Sequence, residues 1–194
     1  MELTWDGIRS KLSDWEGYYG IEIDRVGDFP SELEFAVMHA MEAPDGAVFL
    51  ELGSCHGRTL AALAMVADAK GGMAIGCDDF RLTGCAKDIE DLMSAHGIKN
   101  YKIHTSNTHD LPWNCPVDLL IVDGGHDEFN VSRDIKKYLP FVKSGGVVMF
   151  HDYDNPYIPT SAHEAIRRNA DAACVNDEWI DLGQCHGLKG FKKK

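Results

Sequence analysis

The chain has 194 residues, 44% of them hydrophobic, which is enough to bury one sizeable core and reads as one domain rather than two. A formal net charge of -12 repels a phosphate backbone, and the basic residues form no long stripe beyond the tail Lys192, Lys193 and Lys194, so no nucleic-acid partner is expected. No apolar run is long enough to span a bilayer, and Met1 to Ser10 lacks the basic and apolar regions of a signal peptide, so no membrane association is expected and the expected location is the cytoplasm.

Residues 1–30, with Trp5, Trp15, Tyr18 and Tyr19, are expected to form a helical or irregular segment that covers a pocket, joins a homodimer or simply packs; residues 31–194 are expected to form the domain. Ser31-Glu-Leu-Glu34 matches a capping box ahead of Leu33, Phe35, Val37, Met38 and Met41, which predicts a helix from about 31 to 43. Pro44-Asp45-Gly46 ends it as a turn. A buried strand containing Glu51 is expected at about 47–52, and Gly53 and Gly57 open it into a tight turn before a helix from Arg58 to Ala69. Gly71-Gly72 leads to a strand from Met73 to Cys77 that stops at Asp78 and Asp79. A helix from Asp88 to His96 stops at Gly97, and a short strand follows at about 101–104.

Val117 to Val122 forms a buried strand ending at Asp123, and Glu128 to Phe141 has helical spacing with Asp127 and Glu128 at its start. Ser144-Gly145-Gly146 is expected to deliver the chain into V-V-M-F and then His151 and Asp152. A helix at about 161–171 precedes a strand at Trp179 to Leu182, a turn around Gly183 to Gly187 and a last strand at 188–192. Strand and helix alternate throughout. The order implies a Rossmann-like, doubly wound α/β sheet of seven strands, mostly parallel with an antiparallel C-terminal pair, and helices on both faces.

The turn after the first strand reads E-x-G-x-x-x-G-x-T, with Cys55 where a dinucleotide site would carry its second glycine. Glu51, an anionic side chain expected at the mouth of that turn, favours a ligand with positive charge, and S-adenosylmethionine brings an ammonium and a sulfonium. Asp78, at the end of the second strand and about twenty residues past the glycine turn, is placed to accept ribose hydroxyls, with Asp79 as the alternative. Asp123 and Asp152 close two strands expected to be neighbours, about 4.8 Å apart, so their carboxylates surround one small cavity. Such a pair binds magnesium or another divalent cation. Alternatively, Asp123 hydrogen-bonds cofactor or backbone and Asp152 caps the loop that follows. His126 is the first imidazole in reach of a hydroxyl proton and His151 the second. Trp113, Tyr153 and Tyr157 either wall an acceptor pocket or pack. Cys55, Cys77, Cys85, Cys115, Cys174 and Cys185 have no C-x-x-C spacing, so reduced thiols are expected rather than disulfides or structural zinc.

Four stretches together carry a resemblance: E-L-G-S-C-H-G-R-T at 51–59, G-C-D-D-F at 76–80, D-L-L-I-V-D-G-G-H-D at 118–127 and K-S-G-G-V-V-M-F-H-D-Y at 143–153. Over about residues 47–190 the chain resembles class I S-adenosylmethionine-dependent methyltransferases, near the catechol O-methyltransferase-like and macrocin O-methyltransferase-like small-molecule families. The resemblance implies that Glu51, Gly53, Ser54, Cys55 and Gly57 surround the methionine end of the cofactor, with Thr59 near its carboxylate, Asp78 at the ribose and Ser106 or Asn107 near the adenine. Related metal-dependent enzymes carry carboxylates at the positions of Asp123 and Asp152, with an amide or carboxylate beside the second. Tyr153 stands there in this chain. The activity implied is methylation of a small-molecule hydroxyl. Other readings are a protein that holds the cofactor or its demethylated product without turnover, or a metal-dependent hydroxylase or hydrolase on the same sheet.

Overall fold

In the computed structural model, residues 3–12, 30–81 and 86–194 are described. The central strands are nearly continuous apolar runs because each is covered on both faces, so successive side chains enter opposite cores. In β1 (Val48–Leu52), Phe49 points to one core while Leu50 and Leu52 point to the other. β4 (Val117–Val122) and β5 (Val142–Phe150) divide in the same way, Ile121 and Met149 to the first face and Leu120 and Val148 to the second. Helices α1 (Trp5–Lys11), α2 (Glu32–Glu42), α3 (Arg58–Lys70) and α4 (Ala86–Ala95) fill the first face. The second is covered by α5 (Glu128–Tyr138) and α6 (Thr160–Cys174).

With β2 (Met73–Asp78), β3 (Tyr101–Thr105), β6 (Trp179–Cys185) and β7 (Leu188–Lys193), the sheet has seven strands in the order β3-β2-β1-β4-β5-β7-β6. The first five are parallel, and β7 runs antiparallel between β5 and β6. Strand order reverses between β1 and β4, so the crevice beyond their C-terminal ends is the switch point where such sheets bind ligands. No helix among the described residues is long and apolar enough to cross a membrane.

The expected elements all form, and two expected turns are displaced. Ser144, Gly145 and Gly146 lie inside β5, where the β4–β5 register shifts between Val117 and Leu119 and Gly145 takes a φ of +79°. Gly183, expected to open the last turn, instead lies within β6 at φ +90° beside another register shift. Gly183 sits at a bulge, residues 143–146 form a longer irregularity of β5 opposite Asp118, and the actual β6–β7 turn is at His186 and Gly187. Helix α1 is joined to the domain by Ile8 and Leu12, both wholly buried. Trp15, Tyr18 and Tyr19 lie outside the described residues.

Candidate active site

A cavity of about 1100 Å³ opens at the C-terminal ends of the parallel strands. Its floor is the turn after β1. Gly53 has a φ of +88°, and a Cβ there would stand 2.0 Å from the carbonyl oxygen of Asp123, so only glycine lets the turn close on the end of β4. Cys55 follows at φ +48° and donates its backbone N–H to Asp78 Oδ2 at 2.8 Å; Asp78 Oδ1 accepts from Phe80 N at 2.6 Å. Asp78 therefore lines the cavity with its carboxylate held in one orientation. Asp79 also lines it, but its carboxylate pairs with Arg81 at 3.0 Å.

Glu51 lies beneath this floor rather than at its mouth, 1% exposed, and its Oε2 and Ser54 Oγ are enclosed without a hydrogen-bond partner among the described residues. Burial pushes the Glu51 carboxyl up to about 8, with Asp123 and Asp78 adding to the rise and Ser54 and Thr59 opposing it. Two unsatisfied buried acceptors under a glycine turn are the kind of feature that a bound polar group completes. Ser54 and Thr59 are likewise buried and absent from the cavity wall. Gly57 caps α3 at φ +75°, and its missing side chain makes room for Ile89 of α4, since a Cβ would meet Ile89 Cγ2 at 2.5 Å. Of the pair expected near an adenine, Asn107 lines the cavity, whereas Ser106 sits against Cys77. Thr108 beside it is anchored by α5: its Oγ1 donates to Asp134 at 2.7 Å, and its carbonyl accepts from Tyr138 Oη.

The second wall is built by β4, β5 and the start of α5. β4 and β5 pair in parallel with Val122 opposite Phe150, which sets the following residues, Asp123 and His151, side by side. Asp152 has a φ of +56°, an uncommon conformation for a residue with a side chain. Asp127 caps α5 by accepting from Phe129 N and Asn130 N, which fixes the short link that carries His126. His126 Nε2 stands 2.9 Å from Asp152 Oδ2 and 3.8 Å from Asp123 Oδ1. His151 Nδ1 bonds Asp123 Oδ1 at 2.8 Å, and its Nε2 meets Glu32 Oε2 at 3.3 Å.

Glu32, Asp123, His126, His151 and Asp152 all line one cavity. Contact with Asp152 raises the His126 pKa, against burial. Burial alone lowers that of His151, but Asp123, Glu32 and Asp152 hold it well above the usual imidazole range. Burial also opposes ionisation of Asp152, yet His126, His151 and the Asn155 amide bring it down to about 2.

Glu32 is the residue that sequence reading missed. At the first position of α2 it reads as a helix-dipole and capping residue. In the fold it joins His151, 119 positions later, and its Oε1 accepts from Gly187 N at 2.6 Å. Of the three expected aromatic walls only Tyr157 lines the cavity, 94% exposed. Trp113 packs on Tyr138, and Tyr153 packs into the second core with its hydroxyl on Asp171.

A family model described as a methyltransferase domain matches residues 50–153, more than half of the chain. Among solved structures, the chain is similar to a Staphylococcus aureus protein described as a caffeoyl-CoA O-methyltransferase, at 12% identity and TM-score 0.70, covering 100% of this chain and 93% of that one. It is similar to the O-methyltransferase TomG of Streptomyces achromogenes, involved in tomaymycin synthesis and solved with S-adenosylmethionine, at 15% identity and TM-score 0.61, over 98% and 88% of the two chains. An rRNA methylase from Streptococcus thermophilus has 16% identity and TM-score 0.64, over 89% and 98%. No curated protein matches. At these identities the structural likenesses establish the fold.

Proposed function

Since the chain belongs to the methyltransferase-domain family, whose model spans it from within β1 to just past β5, we propose that it methylates a hydroxyl oxygen of a small molecule. S-adenosylmethionine is the methyl donor. The observation that carries the reading is the acidic switch point: the carboxylates of Asp78 and Asp123 line the cavity, and the Glu51 carboxyl, which keeps its proton up to about pH 8 until a cation displaces it, lies beneath its floor with an unsatisfied oxygen. A cationic ligand suits that site, and a pyrophosphate does not.

When bound, the donor supplies a sulfonium-activated methyl group. Glu51 and Ser54 would hold its methionine end, the fixed carboxylate of Asp78 its ribose, and Asn107 its adenine edge. The protein's remaining task is to align the acceptor oxygen and help remove its proton. That work belongs to Asp123, His126 and Asp152. Either His126 accepts the proton directly, or Asp123 and Asp152 would hold a divalent cation, which when bound would lower the hydroxyl pKa. His151, with both ring nitrogens engaged, serves to orient Asp123. The net charge of -12 supports a small-molecule acceptor over RNA.

The test is release of S-adenosylhomocysteine when the protein and donor meet a panel of phenols, sugars and other hydroxylated compounds. Acceptor-dependent release is expected, and Asp123→Ala should lower it at least about 100-fold. Tight donor binding with no release from any acceptor class would favour a protein that only holds the cofactor.

A further inference from the structure

The approach of His126 to Asp152 has the distance of a hydrogen bond without its angle. Nε2 stands 2.9 Å from Asp152 Oδ2, yet it is enclosed and has no hydrogen-bond partner of acceptable geometry among the described residues. The ring nitrogen and the carboxylate oxygens of Asp123 and Asp152 converge on shared space, all within 4.8 Å of one another. Two ligand atoms each roughly 2.1 Å from one ion lie about 3.0 Å apart at a right angle and about 3.4 Å apart at the tetrahedral angle. His126 and Asp152 match the first of these separations. His126 and Asp123, at 3.8 Å, fit a wider angle at the same centre.

The surroundings are those of a supported ligand set. Asn155 Nδ2 donates to Asp152 Oδ1 at 2.5 Å, and His151 Nδ1 bonds Asp123 Oδ1 at 2.8 Å and stands 3.5 Å from Asp152 Oδ2, while Glu32 holds His151. The open side of the group faces the cavity, which leaves room for an exchangeable ligand.

We propose that Asp123, His126 and Asp152 form a divalent-metal site of one imidazole and two carboxylates, with His126 as the third ligand and a preference for a transition ion over magnesium. Imidazole favours zinc, iron, cobalt or nickel, whereas magnesium favours an all-oxygen shell. His126 thereby has a different task from a general base: it holds the ion. The use of that ion in methyl transfer rests on the function proposed above; its binding does not.

The experiment is titration of Co²⁺ into the full-length protein without methyl donor, followed by its visible d–d absorption, with Mg²⁺ titrated by calorimetry. A saturable band at one ion per chain is expected, with affinity at least about tenfold above that for Mg²⁺. His126→Gln should weaken Co²⁺ at least about tenfold and leave Mg²⁺ nearly unchanged, while Asp152→Asn should weaken both. His126 is 40% exposed, so its replacement leaves the core intact, and His126→Ala with a thermal melt checks this. An absent band, tighter binding of Mg²⁺, or Co²⁺ binding unchanged in both folded His126 variants would overturn the proposal. A separate donor titration distinguishes its failure from that of the methyltransferase reading.

Discussion

Glu51 shows most directly how a single residue trades stability for binding. Its carboxyl ionises near 4.5 in an unfolded chain but is raised to about 8 in the fold, chiefly by burial. Between those values the folded state carries a proton that the unfolded state has lost. The carboxyl's contribution therefore favours folding less and less as pH rises from about 4.5, and levels off above about 8. Glu51→Gln is expected to stabilise the ligand-free protein by about 2–4 kcal/mol at pH 8 and by much less at pH 5, read by urea unfolding at both. The same variant should bind the donor at least about tenfold more weakly, because the arriving cation draws the proton off Glu51 and so gains a buried counter-charge that Gln cannot supply. Equal stability of the two proteins at pH 8 would contradict this placement. The carboxylate was legible in the sequence as an anion beside a glycine turn, but its depth was not. Depth depends on how Gly53 closes against Asp123, a contact between segments seventy positions apart.

At the scale of elements, strand ends were legible and cross-fold contacts were not. Asp123 and Asp152 could be brought together from sequence because each terminates an apolar run, and neighbouring parallel strands align such ends. The glycines inside β5 and β6 read as turns because a strand irregularity and a turn ask for the same positive φ. Helix α2 was found from its capping box, yet what its first turn reaches was invisible. Ser31 Oγ accepts from Glu34 N at 3.0 Å, and the next residue, Glu32, holds both His151 and Gly187. Ser31→Ala is expected to cost about 1 kcal/mol in chemical unfolding. Glu32→Gln should lower methyl transfer more than donor affinity, since Glu32 touches the acceptor wall and not the floor. A fall in donor affinity as large as the fall in turnover would instead mark Glu32 as a general structural tie.

For the whole molecule, the sheet order decides where chemistry can occur. Reversal between β1 and β4 opens a single crevice, and the turns after β1, β2, β4 and β5 all empty into it. That architecture was readable from alternating strands and helices, and the family match runs across it from within β1 to just past β5. The fold alone serves many ligands, so identity of the ligand rests on charge. A sulfonium donor and a dinucleotide fit the same sheet with opposite electrostatic demands on its floor. Calorimetric titration of the purified protein with S-adenosylmethionine and, separately, with NAD at neutral pH distinguishes them. One-to-one saturable binding of S-adenosylmethionine with no heat from NAD is the expected result; binding of NAD with S-adenosylmethionine inert would contradict the account.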